Sequence, residues 1–301
     1  MTKAYSDAST KVVPTATMVA NDRCQRWDHR KAVYRPSRET IDTGNYHACP
    51  IDEQVAKDFI QLHHYSGSYP ASMIRIGLWE KQPFHKDNLV GVAIFGPSAN
   101  QHVIPHWTGQ AASDGTTLSR FCLLDSVPAN GETFFLGKCF RFLRELKPGL
   151  RTVIAYADPI ARRNRSGQLV KPGHVGIIYQ AFNGRFLGQS RARTLLLDPD
   201  GQVISERALS KLRRDECGRD YVLDSLVRSG APTPRLGESG EAYVNRVLAG
   251  DWLRPRRHSG NYVYAWPVGC RQQRRVVGVG FPGFLPYPKP NNSNDHLNQE
   301  E

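Results

Sequence analysis

An amphipathic helix between two strand-like runs is the feature that most constrains this fold. The helix is predicted over residues 132–147. Its apolar side chains share one stripe, formed by Phe135, Cys139, Phe142 and Leu146. A strand is predicted before it over 117–124, and the apolar run 151–157 after it suits a strand buried on both faces. This alternation predicts an α/β or α+β domain built on one central sheet.

Shorter elements flank this centre. A helix is predicted over 52–62, where apolar side chains recur at helical spacing, and strands over 72–79 and 88–96 form a predicted hairpin. Helices and a strand at 262–266 are predicted beyond residue 204, and they leave open a second lobe in that region.

Composition divides the 301 residues into four expected parts. Both ends are polar, whereas 40% of the whole chain is hydrophobic, which supplies a normal core. We expect, in order, a flexible lead-in, a catalytic core, a basic C-terminal region and a disordered tail, covering residues 1–45, 46–204, 205–289 and 290–301. Whether the basic region packs on the core stays open.

The net charge of +12, from 40 Lys and Arg against 28 Asp and Glu, favours a polyanionic partner. Nucleic acid is the first candidate, and a merely basic protein is the alternative. No run approaches the roughly 18–20 apolar residues that a membrane helix needs, so we expect a soluble protein without membrane contact. Six cysteines without a CxxC pair or a secretion signal favour the reduced cytoplasm.

Arginines cluster in two segments that suit contacts with phosphate. The first segment follows the 151–157 run and carries Arg162, Arg163 and Arg165. The second segment, 251–275, has no acid after its first residue and interleaves arginines with Tyr262, Tyr264 and Trp266. Its candidate DNA contacts are Arg254, Arg256, Arg257, Arg274 and Arg275. An exposed basic face without a partner is the alternative.

Asp158 directly follows the predicted strand 151–157. Ligand sites in α/β sheets gather outside the carboxyl ends of strands, so we expect the Asp158 carboxylate to take part in chemistry. The alternative is that Asp158 only caps the segment that follows it.

Three blocks carry a further signal: HHYSGS at 63–68, LSRF at 118–121, and YAD at 156–158 with GHVGIIYQA at 173–181. Together, and in this order, they resemble the Mom family of bacteriophage adenine modification proteins. The resemblance covers about residues 46–200. The basic turn 159–172 is longer than the family's usual turn.

This resemblance implies a GCN5-like N-acetyltransferase-type fold, with a central mixed sheet flanked by helices and a basic C-terminal extension. It implies an enzyme that adds an acetamide-like (carbamoylmethyl) group to adenine N6 of double-stranded DNA. Such an enzyme would protect phage DNA from restriction in the cytoplasm of an infected or lysogenic bacterium. Carried over position by position, the family's functional residues are Arg120, Asp158 and Tyr179, with His64, Tyr65 and Ser66.

Adenine N6 is a poor nucleophile because its lone pair is delocalised into the ring, so its modification needs polarising contacts. We hypothesise that Asp158 accepts a hydrogen bond from this amine, while Tyr65 and Tyr179 stack on a flipped base or shuttle a proton. Arg120 would bind a phosphate, or a carbonyl or carboxylate of the donor. The alternatives are a surface ion pair for Arg120 and ordinary packing for both tyrosines.

The group donor is open between an acyl-CoA-like cofactor and chemistry at a bound iron. Acetyltransferases cradle a pyrophosphate at a helix start, and the matching turn here offers Asn130, Gly131 and Thr133. The single glycine and the carboxylate of Glu132 favour a plain helix cap instead. Candidate metal ligands, without a metal-binding spacing inside one element, are His63, His64 and His174.

Two other functions compete with DNA modification. One is a GCN5-like N-acyltransferase that acts on a protein or a small molecule. The other is a DNA-binding protein without catalysis. The oligomeric state is not indicated by the sequence.

Overall fold

The described residues of this computed structural model are 23–36, 39–283 and 285–289, and they form fourteen strands and eight α-helices. The strands are β1 (Arg23–Asp28), β2 (Lys31–Pro36), β3 (Tyr46–Pro50), β4 (Ile74–Glu80), β5 (Asn88–Gly96), β6 (Gly115–Leu123), β7 (Thr152–Ala157), β8 (Arg162–Arg163), β9 (Leu169–Lys171), β10 (Arg185–Gln189), β11 (Arg193–Leu197), β12 (Val203–Ile204), β13 (Arg254–His258) and β14 (Tyr262–Pro267). The helices are α1 (Glu53–His63), α2 (Val103–Thr108), α3 (Gly131–Leu146), α4 (Ile177–Ala181), α5 (Glu206–Arg213), α6 (Arg219–Arg228), α7 (Gly240–Ala249) and α8 (Arg271–Val279). The tail expected over 290–301 lies outside the described residues.

Seven strands form one mixed sheet in the order β10–β14–β7–β6–β5–β4–β3. Neighbouring strands are antiparallel, except for β6 and β7, which run parallel and are connected through α3. The expected central mixed sheet flanked by helices is therefore confirmed. Within the described ranges, no helix combines the length and the apolar character needed to cross a bilayer.

Different helices cover the two faces of this sheet. On one face, Phe135 of α3 packs in the main core with Ala155 of β7, and α4 joins the same core. On the other face, Ile60 of α1 packs with Ile94 of β5. Ile154 points to this second face because side chains alternate along a strand, and it packs with α2 and α8. Both faces of the sheet are thus buried.

The two parallel strands part before they end. Their hydrogen-bonded register ends at Leu118 of β6 opposite Ala155 of β7. Beyond these residues, β6 stays paired with β5, and β7 stays paired with β14. A space that we call the wedge therefore lies between the carboxyl ends of β6 and β7. Arg120 stands on its β6 edge, and Asp158 follows its β7 edge.

The central sheet continues beyond residue 204, which was the expected end of the catalytic core. β14 lies between β7 and β10, and its pairing with β7 joins residues far apart along the chain, which leaves no local signal. The helices α5 to α7 have a separate core, formed by residues that include Leu209, Leu226, Val244 and Val247. The region 205–289 therefore contains the helices α5 to α7, the strand β13 of a separate sheet, the strand β14 of the central sheet, and α8.

Residues 23–36 form the hairpin β1–β2, which differs from the flexible lead-in expected over 1–45. Arg26 of this hairpin is fully buried, and its guanidinium is paired with Glu132 in the first turn of α3. The buried ion pair joins the hairpin to the helix. The remainder of the lead-in up to residue 22 lies outside the described residues.

A small outer sheet has the order β12–β11–β13. The residues 185–197 form two strands that are separated after Gln189, so β10 joins the central sheet and β11 joins the outer one. A turn from Asp198 to Gly201 connects β11 to β12, which pair antiparallel. This outer sheet brings β13 next to the segment that follows β7.

Candidate active site

Asp158 leaves β7 at the wedge and is held by three groups. Its Oδ1 accepts the backbone N–H of Ile160 at 3.0 Å and lies 2.9 Å from Nε2 of His258. Its Oδ2 lies 3.0 Å from Nζ of Lys171. Burial raises the pKa of Asp158, but Lys171, His258 and the Ile160 N–H outweigh burial and lower that pKa to about 2. The carboxylate is therefore ionised at neutral pH and fixed in position.

His258 orients Asp158 from the outer sheet. The backbone N–H of Gly260 donates to Nδ1 of His258 at 3.0 Å, so the neutral ring carries its proton on Nε2 and donates it to Asp158. The side chain is buried, whereas the other residues of β13 are exposed. His258 has no local signal in the sequence, because its partner lies 100 positions earlier in the chain.

Lys171 lies near the end of the basic turn 159–172, and its side chain contacts the residues that follow β7. Its side chain is fully buried, and Nζ donates to the carbonyl oxygens of Asp158 at 3.0 Å and Ile160 at 3.2 Å. Burial lowers the pKa of Lys171 to about 8, although the nearby Asp158 carboxylate raises it. The turn therefore directs this cation inward, toward Asp158.

Arg120 occupies the opposite edge of the wedge. Its Nε donates to the Ser68 carbonyl at 3.2 Å, and its Nη2 donates to the Ser68 hydroxyl at 2.9 Å. Its Nη1 donates to the carbonyl of Ser119 at 2.7 Å. Each terminal nitrogen carries a second N–H, which gives the guanidinium a fork for an oxygen of a ligand.

His64 and Ser66 shape the loop that holds Arg120. Nδ1 of His64 accepts the Ser66 N–H at 3.2 Å and lies 2.9 Å from the Ser66 hydroxyl. Burial lowers the pKa of His64 well below its usual value, and the nearby Arg120 lowers it further, so the ring is neutral. The His64–Ser66 contact fixes the loop up to Ser68, and with it the partner of Arg120.

Tyr65 lies close to both edges of the wedge. Burial raises its pKa, as does the nearby Asp158 carboxylate, whereas Arg120 and Arg162 lower it. Nζ of Lys171 lies 5.7 Å from the centre of the Tyr65 ring. The phenol thus stands among the charged groups of both strands.

Tyr179 approaches the wedge from α4. Burial raises its pKa, as does the nearby Tyr65, whereas Arg120 lowers it. Gly176, with a φ of 82°, allows α4 this close approach, because a Cβ there would come within 2.7 Å of the Tyr264 ring and 3.1 Å of Ala157. Tyr179 also contacts the Tyr264 ring, with 5.5 Å between the ring centres, so it is part of the main core as well.

The wedge therefore brings together side chains that lie far apart along the chain. The residues selected from the sequence that meet there are His64, Tyr65, Ser66, Arg120, Asp158 and Tyr179. The structure adds Lys171, His258 and Ser68 to this group.

Residues 45–233 match the Mom protein family. The chain belongs to this family. This chain is 26% identical to the methylcarbamoylase mom of Escherichia phage Mu over 165 aligned residues. The alignment covers 53% of this chain and 60% of that protein. The chain thus spans less than two thirds of the length of this relative. A solved tandem GNAT protein from the clavulanic acid biosynthesis pathway, without AcCoA, aligns over 75% of each chain at 10% identity, and its TM-score of 0.29 is too low to assign the fold.

The three histidines selected as metal ligands do not form one group. Burial, and then Lys171, lower the pKa of His174 to about 4, and cations also surround His64. Both rings are neutral, but the nearby cations disfavour a metal ion beside them. His63 instead lies next to His29, with 5.2 Å between the ring centres. Among the described His, Cys, Asp and Glu side chains, only Asp28, His29 and His63 bring three ligand atoms within 4.8 Å of one another.

The turn proposed for a cofactor leads directly into α3. Asn130 precedes α3 in a left-handed conformation, and the Thr133 hydroxyl donates to its carbonyl at 3.0 Å. Gly131 is buried. Glu132 was expected to repel a phosphate, but its carboxylate is buried and compensated by Arg26. Asn130 makes no side-chain hydrogen bond that caps α3, and the pairing of Glu132 with Arg26 removes the electrostatic objection to a nearby phosphate.

Arg162 was expected to contact DNA at the surface, but the structure places it inside the protein. Its side chain is buried, its Nη1 donates to the Gly201 carbonyl at 3.4 Å, and its guanidinium lies 5.8 Å from the centre of the Tyr65 ring. The strand β8 directs this residue inward, so it belongs to the wedge.

Five other expected DNA contacts are exposed and lie near one another. Arg163 and Arg254 are linked, because Nη2 of Arg254 donates to the Arg163 carbonyl at 3.2 Å, and Arg165 donates to the carbonyl of Asp251. We call this group the basic surface, and its members are Arg163, Arg165, Arg254, Arg256 and Arg257.

The expected basic strip over 251–275 is not continuous. Arg274 and Arg275 are exposed on α8, which is a separate element beyond β14. Tyr264 and Trp266, expected to alternate with arginines at the surface, are buried in the main core. Their burial follows from the position of β14 inside the central sheet.

Proposed function

We propose that this protein is a transferase that modifies adenine in double-stranded DNA by adding an acetamide-like (carbamoylmethyl) group to N6. Membership of the Mom family supports DNA modification, and the phage Mu relative is named a methylcarbamoylase. The observation that carries the proposal is the meeting of Arg120, Asp158 and Tyr65 at the wedge. Such a modification would protect phage DNA from host restriction.

Asp158 orients the amine of the base. Its low pKa makes it a weak proton acceptor, but an ionised carboxylate is a strong hydrogen-bond acceptor for an exocyclic N–H. His258 and Lys171 use part of its acceptor capacity, and Oδ2 keeps a lone pair for a ligand. We therefore assign Asp158 the role of aligning N6.

Arg120 stabilises negative charge on the group that is transferred. N6 attacks the methylene carbon of the carbamoylmethyl group, the donor's leaving group departs from that carbon with the bonding electron pair, and N6 loses a proton. The adjacent amide oxygen shares part of the negative charge of this transition state, and a guanidinium can donate hydrogen bonds to it. The guanidinium is held by Ser68 and Ser119, so its orientation is set before a substrate arrives. Fixed donors of this kind lower the barrier because they need no reorganisation during the reaction.

Tyr65 and Tyr179 are the aromatic groups for the flipped base. Enzymes that act on bases hold the extruded nucleotide between aromatic walls, and extrusion costs a few kcal/mol. Tyr179 is buried and Tyr65 is partly buried in this structure, so the base enters after the loop from His64 to Ser68 moves away from Arg120. The basic surface holds the neighbouring phosphates during this step.

The test is mass spectrometry of nucleosides from plasmid DNA of cells that express the protein. We expect a new adenine derivative, heavier by one carbamoylmethyl group in place of hydrogen, that is lost in Arg120→Ala and Asp158→Ala and kept in the exposed control Arg141→Ala. Unmodified adenine together with DNA binding would instead indicate a DNA-binding protein without catalysis. Unmodified adenine with coenzyme A binding would indicate an N-acyltransferase for another substrate.

A further inference from the structure

Three potential metal ligands meet at the C-terminal end of α1. Asp28 is the last residue of β1, His29 belongs to the turn that follows it, and His63 is the last residue of α1. Their ligand atoms all lie within 4.8 Å of one another. Nδ1 of His29 lies 2.6 Å from Oδ1 of Asp28, and Nδ1 of His63 lies 3.8 Å from the same oxygen.

His63 provides independent evidence that this group binds a ligand. Its Nδ1 is buried and has no hydrogen-bond partner among the described residues, because 3.8 Å to Asp28 is too long for a hydrogen bond. Its side chain is 12% exposed, and its ring packs against Phe59 with 4.8 Å between the ring centres. A buried nitrogen without a partner is costly, and a metal ion would satisfy it.

The turn is already held over the end of α1. His29 and Arg30 have left-handed backbone conformations, with φ values of 43° and 68°. The backbone N–H of Arg30 donates to the His63 carbonyl at 3.1 Å, and its Nε donates to the Gln61 carbonyl at 2.9 Å. The three ligand groups therefore come from two segments whose relative position is fixed by other contacts.

We propose that Asp28, His29 and His63 bind one divalent transition-metal ion, of which zinc is the reference case. Two imidazoles and one carboxylate form a ligand set that suits zinc, with a water molecule in the fourth position. Asp28 and His29 lie outside residues 45–233, which match the Mom family, so the site does not follow from family membership.

The ion would connect this turn to the wedge. Trp27 precedes Asp28, and its ring lies 4.9 Å from the Tyr65 ring and 6.2 Å from the His64 ring, measured between ring centres. Binding at the turn thus restrains the hairpin and the end of α1 together. Metal occupancy would limit the movement of the loop that carries Tyr65.

The test is a titration of the full chain with zinc chloride, followed by calorimetry, in a Cys217→Ser/Cys270→Ser background that removes two exposed thiols. We expect one zinc ion per chain and a rise of a few degrees in the melting temperature. His29→Ala and Asp28→Asn change exposed side chains, so both variants fold, and each should weaken zinc binding by at least roughly tenfold. The matched control His102→Ala alters an exposed histidine elsewhere and should bind zinc like the parent.

A second probe reports the ligands directly. Cobalt chloride should give the visible absorption of a tetrahedral site, and that absorption should be lost in His29→Ala and in His63→Ala. The proposal is overturned when the parent binds no zinc, or when His29→Ala and Asp28→Asn bind zinc with the parent's affinity. Neither outcome depends on DNA modification, so this site and the proposed function fail or stand separately.

Discussion

The wedge and the basic surface are both rich in cations, but the protein holds these cations in opposite ways. In the wedge, Lys171 is fully buried and contacts the Asp158 carboxylate and two carbonyl oxygens. On the basic surface, Arg256 and Arg257 are exposed to solvent on β13. A buried charge depends on its partner, whereas an exposed charge has water as an alternative.

This difference separates two tasks. The wedge fixes its polar groups before a substrate arrives, which suits the alignment of one chemical group at one position. The basic surface exposes its guanidinium groups, and Arg256 and Arg257 can adapt to a phosphate backbone, which suits binding without sequence preference. Changes in the wedge should therefore alter stability and chemistry, and changes on the basic surface should alter affinity and its salt dependence.

The largest effect is expected from Asp158→Ala. Removing this carboxylate leaves the Lys171 ammonium buried without its counter-charge, so the free energy of unfolding should fall by roughly 3–5 kcal/mol. Urea denaturation at neutral pH measures this change. The double variant Asp158→Ala/Lys171→Met should recover much of the loss, and a double variant no more stable than Asp158→Ala would show that the pair is not its cause.

A large effect on chemistry is expected from Arg120→Lys. Lysine keeps the charge but lacks the planar fork, so the rate of DNA modification should fall roughly 100-fold or more while the fold is retained. The measurement is the fraction of modified adenine in DNA as a function of time. Arg141→Lys on the exposed side of α3 is the control, and equal rates for Arg120→Lys and Arg141→Lys would remove Arg120 from the site.

Acid should reduce the contribution of the wedge residues to the free energy of unfolding, and it should leave the contribution of the basic surface unchanged. The pKa of folded His174 is about 4, below its unfolded value of about 6.5, so its stabilising contribution is complete above pH 6.5 and is lost as the pH falls through 4. The free energy of unfolding should fall by about 1.4 kcal/mol per pH unit for this group within that range. Asp158 adds a loss of the same sign at lower pH, because its folded pKa of about 2 is also below its unfolded value.

Unfolding curves at a series of pH values test this expectation. His174→Gln should flatten the slope between pH 6.5 and 4, because glutamine does not titrate. Arg256→Ala should keep the parent's slope, because arginine stays protonated throughout. A His174→Gln variant with the parent's slope would contradict the assignment.

The smallest effect on stability is expected from Arg256→Ala and Arg257→Ala. Each should change the free energy of unfolding by less than about 0.5 kcal/mol, because both side chains are exposed. Their effect should appear in DNA binding, where each lost phosphate contact lowers the salt slope by up to about 0.9. Fluorescence anisotropy at several salt concentrations measures this slope, and an unchanged slope in the double variant would exclude the basic surface as a DNA contact.

Local elements were predictable because their signals are local. The helix α1 was expected over 52–62 and spans Glu53–His63, since apolar residues at helical spacing determine its buried face. The same reasoning located α3 and the hairpin of β4 and β5. The wedge residues were found by the order of three short blocks, which reflects family membership and not local physics.

Features that depend on distant pairing were not predictable. The position of β14 beside β7 is set by partners far apart in the chain, so its buried Tyr264 and Trp266 looked like exposed aromatics between arginines. Lys171 and Arg162 looked like exposed basic residues, because nothing near them in the sequence shows that they face Asp158 and Tyr65. Charged residues are usually exposed, and only the folded chain shows which of them are paired inside.

Photo-cross-linking tests the central claim most directly, namely that the wedge holds the adenine that is modified. A DNA duplex with one photoreactive adenine analogue is bound to the full chain, irradiated, digested and analysed by peptide mass spectrometry. Cross-links from the analogue to Tyr65 or Tyr179 are the predicted result. Cross-links confined to the peptides of the basic surface, with none at the wedge, would contradict the account.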